Sequence, residues 1–305
     1  MIKLILFLIL VSCKSQNFSV NNKNMLIISH KAFHNTLDEE IFFTSKNKDC
    51  VNTARKNVGA DFDFAKTNLD KAFRLGADYI EVDTRLTKDG EILVTHDREL
   101  DCLTNMKGRV ADYTYQELKM NLAPNHKVYF IKNGKKIFPF KNKGVGEVFK
   151  LEELIKLYPS KGILINPKDK SDKSFTPYLS LFKKYPTYKF MLWGPYNLYK
   201  EALKKKLNIS EFINNHHQSK KCLERYRNNQ SLDICEGMSM SLSIKDTKTI
   251  EGWPKRFLSD MKEKNAKIYI FLPGLSQIEY IKNALKSNIS GVIVSDIKKF
   301  KETFL

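Results

Sequence analysis

Short apolar runs recur along this chain, and most are separated from the next by a stretch whose apolar positions fall at helical spacing. The runs Met25–Ile28, Tyr79–Thr84, Glu91–Thr95, Gly162–Asn166, Lys189–Trp193, Gly237–Leu242, Lys267–Leu272 and Gly291–Ser295 read as strands. Helices are predicted over Asp63–Leu75, Tyr115–Met120, Leu151–Tyr158, Pro177–Lys184, Tyr196–Leu207, Trp253–Lys264 and Gln277–Ser287. In the first of these Leu69, Ala72, Phe73 and Leu75 share a face, and Gly76 stops the helix. Residues 209–230 carry no readable pattern. Strands alternating with helices over this length predict an α/β fold, a (β/α)8 TIM barrel in a single domain. An open doubly wound sheet is the rival, but no glycine-rich phosphate loop follows the first strand.

Two segments interrupt the alternation. From Lys31 to about Phe64 the chain is irregular and polar, with one aromatic-rich cluster at Phe33, Ile41, Phe42 and Phe43; it forms a long insertion after the first strand. Pro124 to Val148 is a lysine-rich excursion with a predicted hairpin around Asn133-Gly134. The N-terminus differs again. Met1-Ile2-Lys3 is followed by an apolar run from Leu4 to Val11 and then Ser12-Cys13. That run is far shorter than the ~20 residues needed to span a bilayer, and it has the layout of a secretory signal. Leu10-Val11-Ser12-Cys13 resembles a bacterial lipobox, which implies cleavage before Cys13 and lipidation of its thiol. A first buried strand with an incidental cysteine is the alternative, against which the polar tether Lys14–Asn24 argues. The expected organisation is a signal peptide at 1–12, a tether at 13–24 and a barrel domain at 25–305. Such a protein would be anchored to a membrane of the cell envelope, periplasmic or on the outer surface.

The 305 residues are 28% charged and 11% aromatic, a globular composition, but the formal net charge is +18. That excess points to an anionic partner such as a phosphate-bearing small molecule or a lipid headgroup. The lysines are scattered and no arginine-rich arm or nucleic-acid-binding motif is present, so nucleic acid is not expected as a partner, and a generally basic composition accounts for most of the charge. Apart from Cys13, the cysteines are Cys50, Cys102, Cys222 and Cys235. Two disulfides are expected in an exported protein, with three connectivities open. Cys222 with Cys235 would staple one loop, leaving Cys50 for Cys102; four free thiols are the alternative.

Candidate chemistry centres on Gly76–Asp97. In a strand, residues i and i+2 share a face, so Glu81 and Asp83 point one way while Ile80 and Val82 point the other. Two carboxylates aimed at one place repel and lose hydration unless a cation sits between them, and oxygen donors suit Mg2+ or Ca2+. A solvated edge strand is the other reading of the same pattern. Position favours the site: His30, Glu81, Asp83, His96 and Lys168 all fall at or just past predicted strand ends, where a barrel builds its chemistry.

His30-Lys31-Ala32, Gly76–Asp83, Leu86–Gly90, His96-Asp97, Leu100, Thr104-Asn105, Gly108–Asp112, Leu151–Leu154 and Gly291–Asp296 together resemble the glycerophosphodiester phosphodiesterase family. The resemblance runs from about Leu26 to Ile297 and is thin between 170 and 260. It implies a TIM barrel and a metal-dependent phosphodiesterase that converts glycerophosphodiesters to glycerol-3-phosphate and an alcohol. His30 and His96 correspond to the paired histidines that act as general base and acid, Glu81 and Asp83 to metal carboxylates, and Lys168 to the phosphate-binding lysine. Lys31 stands where the family has a phosphate-binding arginine, with Ala32 for glycine. Asn166 stands at the third metal carboxylate, which predicts weaker affinity for Ca2+ or Mg2+ or an altered substrate preference. Phe62-Asp63-Phe64-Ala65 replaces the family's Pro-Glu-Asn-Thr block. Two alternatives follow from these departures. One is a phospholipase D-like or phosphoinositide-type barrel acting on intact lipid headgroups, its basic surface docked on anionic membrane. The other is a non-catalytic descendant that binds a phosphorylated ligand. His34, His126, His216 and His217 match no motif and read as surface residues. Trp193 and Phe271 could wall a cleft or serve only the core.

Overall fold

A computed structural model describes residues 25–32, 64–124, 126–214, 217–272, 278–287 and 289–304. The expected leader and tether at 1–24, residues 33–63 of the expected insertion, and with them Cys13, His34 and Cys50, lie outside these residues, as does His216. The strands are β1 (Leu26–Ser29), β2 (Tyr79–Leu86), β3 (Ile92–Val94), β4 (Phe130–Lys132), β5 (Lys135–Ile137), β6 (Gly162–Pro167), β7 (Phe190–Trp193), β8 (Glu211–Asn214), β9 (Ser239–Ser243), β10 (Lys267–Leu272) and β11 (Gly291–Val294). Eight of them form one parallel sheet in the order β1, β2, β6, β7, β8, β9, β10, β11, and β11 pairs back to β1. The sheet is closed, and helices lie between its successive staves, as the alternation predicts.

The run around Ile92–Val94 forms a strand as expected but is no stave of the barrel: β3 pairs antiparallel with the end of β2, Thr84 opposite Val94 and Leu86 opposite Ile92. It has the look of a buried stave because it is covered on both faces. Ile92 and Val94 join the main core, while Leu93 packs on a separate cluster with Leu100, Val110 and Leu118. The stave that replaces it is β8, inside the unreadable 209–230 stretch and followed by the helix His217–Arg227. Only Phe212 and Ile213 are apolar in β8, too few to register as a run.

Burial divides the barrel into two layers. Ile80, Val82, Ile163, Ile165, Met240 and Leu242 face outward and pack on helix residues such as Leu69, Ala72, Phe73 and Leu154. Ile28, Leu164, Met191, Ile213, Tyr269 and Ile293 fill the lumen, which is therefore a packed core. Of these, Tyr269 lies so close to Gly291 that a Cβ there would meet the ring at 2.7 Å and the Leu26 carbonyl at 2.8 Å. The first helix spans Lys66–Arg74, shorter at its start than its apolar pattern predicts. Gly76, at φ 86°, ends it by donating its N–H to the Phe73 carbonyl.

A disulfide joins Cys222 to Cys235 across a Cα–Cα distance of 5.4 Å, and Cys102 is also disulfide-bonded. The segment after β3 leaves the mouth of the barrel and returns to it, where the Phe149 carbonyl accepts the Val94 N–H at 2.9 Å. Within it β4 and β5 form a separate two-stranded hairpin. Asn133 and Gly134, both at positive φ, make its turn as the sequence predicts.

Candidate active site

Strand β2 carries Tyr79, Glu81 and Asp83 on its lumen face, with Ile80 and Val82 holding the outer face in the core. Beside it on β6, Asn166 is the register partner of Asp83. Glu81 is fully buried, Asp83 is 1% exposed, and Asn166 is buried. The solvated-edge reading of this strand is thereby removed.

The other residues arrive from loops at the same end of the barrel. His30 follows β1; its Nδ1 lies 3.0 Å from Ser295 Oγ, just past β11, and its Nε2 is 3.8 Å from Glu81 Oε2. Phe271 meets the His30 ring edge-on at 5.0 Å, and Trp193 packs on Phe271 at 5.5 Å. These two aromatics therefore wall the mouth beside His30. Lys31 occupies the left-handed region at φ 48°, an uncommon place for a side chain other than glycine. That turn aims its backbone N–H at Glu81 Oε2, 3.1 Å away, and brings Nζ to 4.0 Å from Asp83. Lys168 follows β6, its backbone N–H held by the Thr84 carbonyl, and its Nζ lies 2.7 Å from Asp83 Oδ1. His96 is brought back to this level by β3, and the Thr95 N–H bonds the Asp83 carbonyl.

Three partners of these groups carry no signal of their own in the sequence. Asp97 accepts from His96 Nδ1 at 2.8 Å. Ser295 orients His30 from a residue 265 positions away. Arg85 donates to the His96 carbonyl at 2.8 Å and faces Asp169, which also accepts the Leu86 N–H. Asp97 and Ser295 do fall inside recognisable blocks, so neighbourhood alone could have flagged them. Of the remaining histidines, His126 accepts the Asn142 N–H, a structural use on the excursion.

Electrostatics separate the two carboxylates. Burial, and then the charge of Asp83, push Glu81 well above the usual carboxylate range. Burial works against the charge of Asp83 too, but Lys168, followed by His96 and Lys31, outweighs it and holds Asp83 below that range. His96 is held below the ordinary imidazole value, first by Lys31 and then by burial, against the opposing pull of Asp83 and Asp97. At neutral pH it is therefore a free base, with Nδ1 committed to Asp97.

The donor set fits a hard divalent cation. Both Asp83 oxygens are buried without an aligned hydrogen bond, Lys168 approaching as an ion pair only. Glu81 stands beside it, fully buried on the same face of β2. Among the described residues no group of three or more His, Cys, Asp and Glu stands ready to hold a metal, and the group beside the two carboxylates on β6 is the amide of Asn166. That amide currently donates its N–H to Glu81 Oε1 at 3.2 Å.

A glycerophosphodiester phosphodiesterase of Bacillus altitudinis is 53% identical over 61 residues, which cover 20% of this chain and 24% of that relative. One from Caldanaerobacter subterraneus is 38% identical over 101 residues, covering 32% of this chain and 39% of the relative. The matched segments thus span well under half the length of these relatives. Fold similarity is broader. A glycerophosphoryl diester phosphodiesterase from Parabacteroides distasonis superposes with a TM-score of 0.60 at 16% identity, covering 93% of this chain and 87% of its own. A phosphodiesterase from Oleispira antarctica, solved with the product sn-glycerol-3-phosphate, gives 0.59 at 14% identity, covering 93% and 98%. The sequence model of the glycerophosphoryl diester phosphodiesterase family matches residues 67–299, a span that contains Glu81, Asp83, His96, Asn166 and Lys168, and the chain belongs to that family.

Proposed function

We propose that this protein hydrolyses glycerophosphodiesters to glycerol-3-phosphate and an alcohol. The observation that carries the reading is the convergence of His30, His96, Glu81, Asp83, Lys31 and Lys168 on one mouth of the barrel. The product complex of the Oleispira antarctica relative supports the choice of substrate class.

Glu81, Asp83 and Asn166 would hold a divalent cation, Ca2+ or Mg2+, the Asn166 amide presenting its oxygen after a half-turn. Bound there, the ion supplies Lewis-acid cover for the phosphoryl oxygens. The remaining roles belong to side chains. Lys168 and Lys31 offset the charge of the diester phosphate, as single ammonium groups without the bidentate grip of arginine. His96, neutral and oriented by Asp97, takes a proton at Nε2 as general base from the attacking water, whose oxygen forms the new bond to phosphorus. His30, oriented by Ser295, serves as the general acid, giving a proton from Nε2 to the leaving alkoxide as its bond to phosphorus breaks. Trp193 and Phe271 form an apolar wall beside His30. We further propose that the mature protein begins at a lipidated Cys13 and is tethered by residues 14–24 to a membrane of the cell envelope.

The test is release of glycerol-3-phosphate from glycerophosphodiesters, with and without Ca2+ or Mg2+. His30→Ala and His96→Ala should each lower kcat by about 10²–10⁴. Undiminished turnover in either variant, or in a metal chelator, overturns the mechanism. Loss of membrane fractionation in Cys13→Ser checks the anchor.

A further inference from the structure

The β4–β5 hairpin has no part in the chemistry above, and its composition is unlike the rest of the surface. Every residue from Ile131 to Phe138 is exposed. Ile131 is 50% exposed, Ile137 39% and Phe138 40%; Val145 and Met120, at the foot of the same excursion, are 55% and 58% exposed. These make up most of the large hydrophobic side chains exposed among the described residues. Between His126 and Gly146 lie Lys127, Lys132, Lys135, Lys136, Lys141 and Lys143 and no acidic residue.

Register arranges these side chains. Ile131 faces Lys136 and Phe130 faces Ile137, so each face of the ribbon mixes apolar and cationic groups. Lys136 Nζ sits 4.3 Å from the Tyr129 ring centre, and Tyr129 packs on Phe138 at 5.7 Å. The root is fixed while the tip is not covered: Val128 and Phe140 are buried with Ala65, and the Lys127 N–H bonds the Leu103 carbonyl. Ala65 precedes the helix that follows the β1 loop, which places the hairpin on the rim of the barrel mouth.

We infer that this hairpin is a docking element for an anionic lipid bilayer. Apolar and aromatic tips can enter the headgroup region while lysines on the same ribbon extend to lipid phosphates. Other partners suit it less well. A second copy would set one lysine-rich ribbon against another, and like charges at close range oppose that contact. Nucleic acid would satisfy the lysines but leave Ile131, Ile137 and Val145 against water. The proposal does not depend on the catalytic reading.

The test uses the full chain carrying Cys13→Ser, so that no acyl anchor contributes, and vesicles of phosphatidylcholine with or without phosphatidylglycerol. Partitioning onto the phosphatidylglycerol vesicles should exceed that onto pure phosphatidylcholine and fall with added salt. Lys132→Gln/Lys135→Gln/Lys136→Gln should weaken it about a hundredfold and flatten the salt dependence. Ile131→Ser/Phe138→Ser should weaken it about tenfold. All these side chains are exposed, so unchanged melting curves confirm folding, and Leu203→Ser, an exposed residue away from the hairpin, is the control. The proposal fails if the hairpin variants partition like their parent, as they would if the N-terminal apolar run alone drove binding. It fails equally if the parent does not distinguish the two vesicles, or if the same substitutions instead abolish a self-association seen by sedimentation.

Discussion

Lys168→Met puts the electrostatics of the site to the sharpest test. Asp83 is almost wholly buried, and its nearest cation is Lys168 at 2.7 Å, with Lys31 next at 4.0 Å. At an effective dielectric constant of about 20 these separations correspond to roughly 6 and 4 kcal/mol of gross attraction. Removing Lys168 thus removes the larger share, and a buried charge that loses its partner typically costs about 3–5 kcal/mol. Because Lys31 remains, we expect the lower end, about 3 kcal/mol, and a melting temperature lowered by about 6 °C or more in chelator. Thermal unfolding followed by circular dichroism measures this directly. Two further readouts belong to the same experiment. Asp83→Asn/Lys168→Met, which removes the stranded charge, should recover most of the loss. Ca2+ should raise the melting temperature of Lys168→Met more than that of the parent, since the ion no longer competes with an ammonium group. The pH dependence has a definite sign. Asp83 is held below its unfolded value, so the pairing stabilises above about pH 4 and its contribution declines as pH falls below that. A Lys168→Met protein that melts within about 1 °C of the parent at neutral pH would refute the claim that Lys168 is the counter-ion of Asp83.

Other predictions follow from single contacts. Lys31 is the largest cause of the depressed His96 value, so Lys31→Met should move the acid limb of the pH–rate profile to higher pH; an unmoved limb would separate His96 from the base role. Asn166→Glu restores a third carboxylate and should tighten Ca2+ binding about tenfold by calorimetry, since added ligand charge raises affinity; equal affinity would mean that residue 166 does not touch the ion. Gly291→Ala places a methyl group against the Tyr269 ring and the fixed Leu26 carbonyl, and should cost about 1–3 kcal/mol in urea denaturation. A neutral result there would show that the barrel floor has room to relax.

Much of the site is legible along the chain because its signals are local. The two-residue spacing of Glu81 and Asp83 dictates a shared face wherever a strand forms, and the apolar residues between them dictate that the strand is buried. The turn at Asn133-Gly134 and the stop at Gly76 are equally local, each resting on a backbone conformation that few residues adopt. Strand identity is harder to read where burial comes from an unexpected direction. Ile92–Val94 is as apolar as a stave because a side cluster covers its second face, whereas β8 is nearly invisible because its ends are Glu211 and Asn214.

The sequence by itself determined the alternation that closes into a barrel, the polarity of β2 and the presence of two histidines, two carboxylates and Lys168 at strand ends. Tertiary structure alone decided how those groups are used. Ser295 reaches His30 across 265 residues only because β11 pairs with β1 to close the sheet. Asp83 meets Lys168, and Glu81 meets the amide of Asn166, only because β6 lies beside β2 in that register. Helix and strand periods are properties of a few consecutive residues, whereas a counter-ion or an orienting hydroxyl is supplied by whichever segment packing brings alongside.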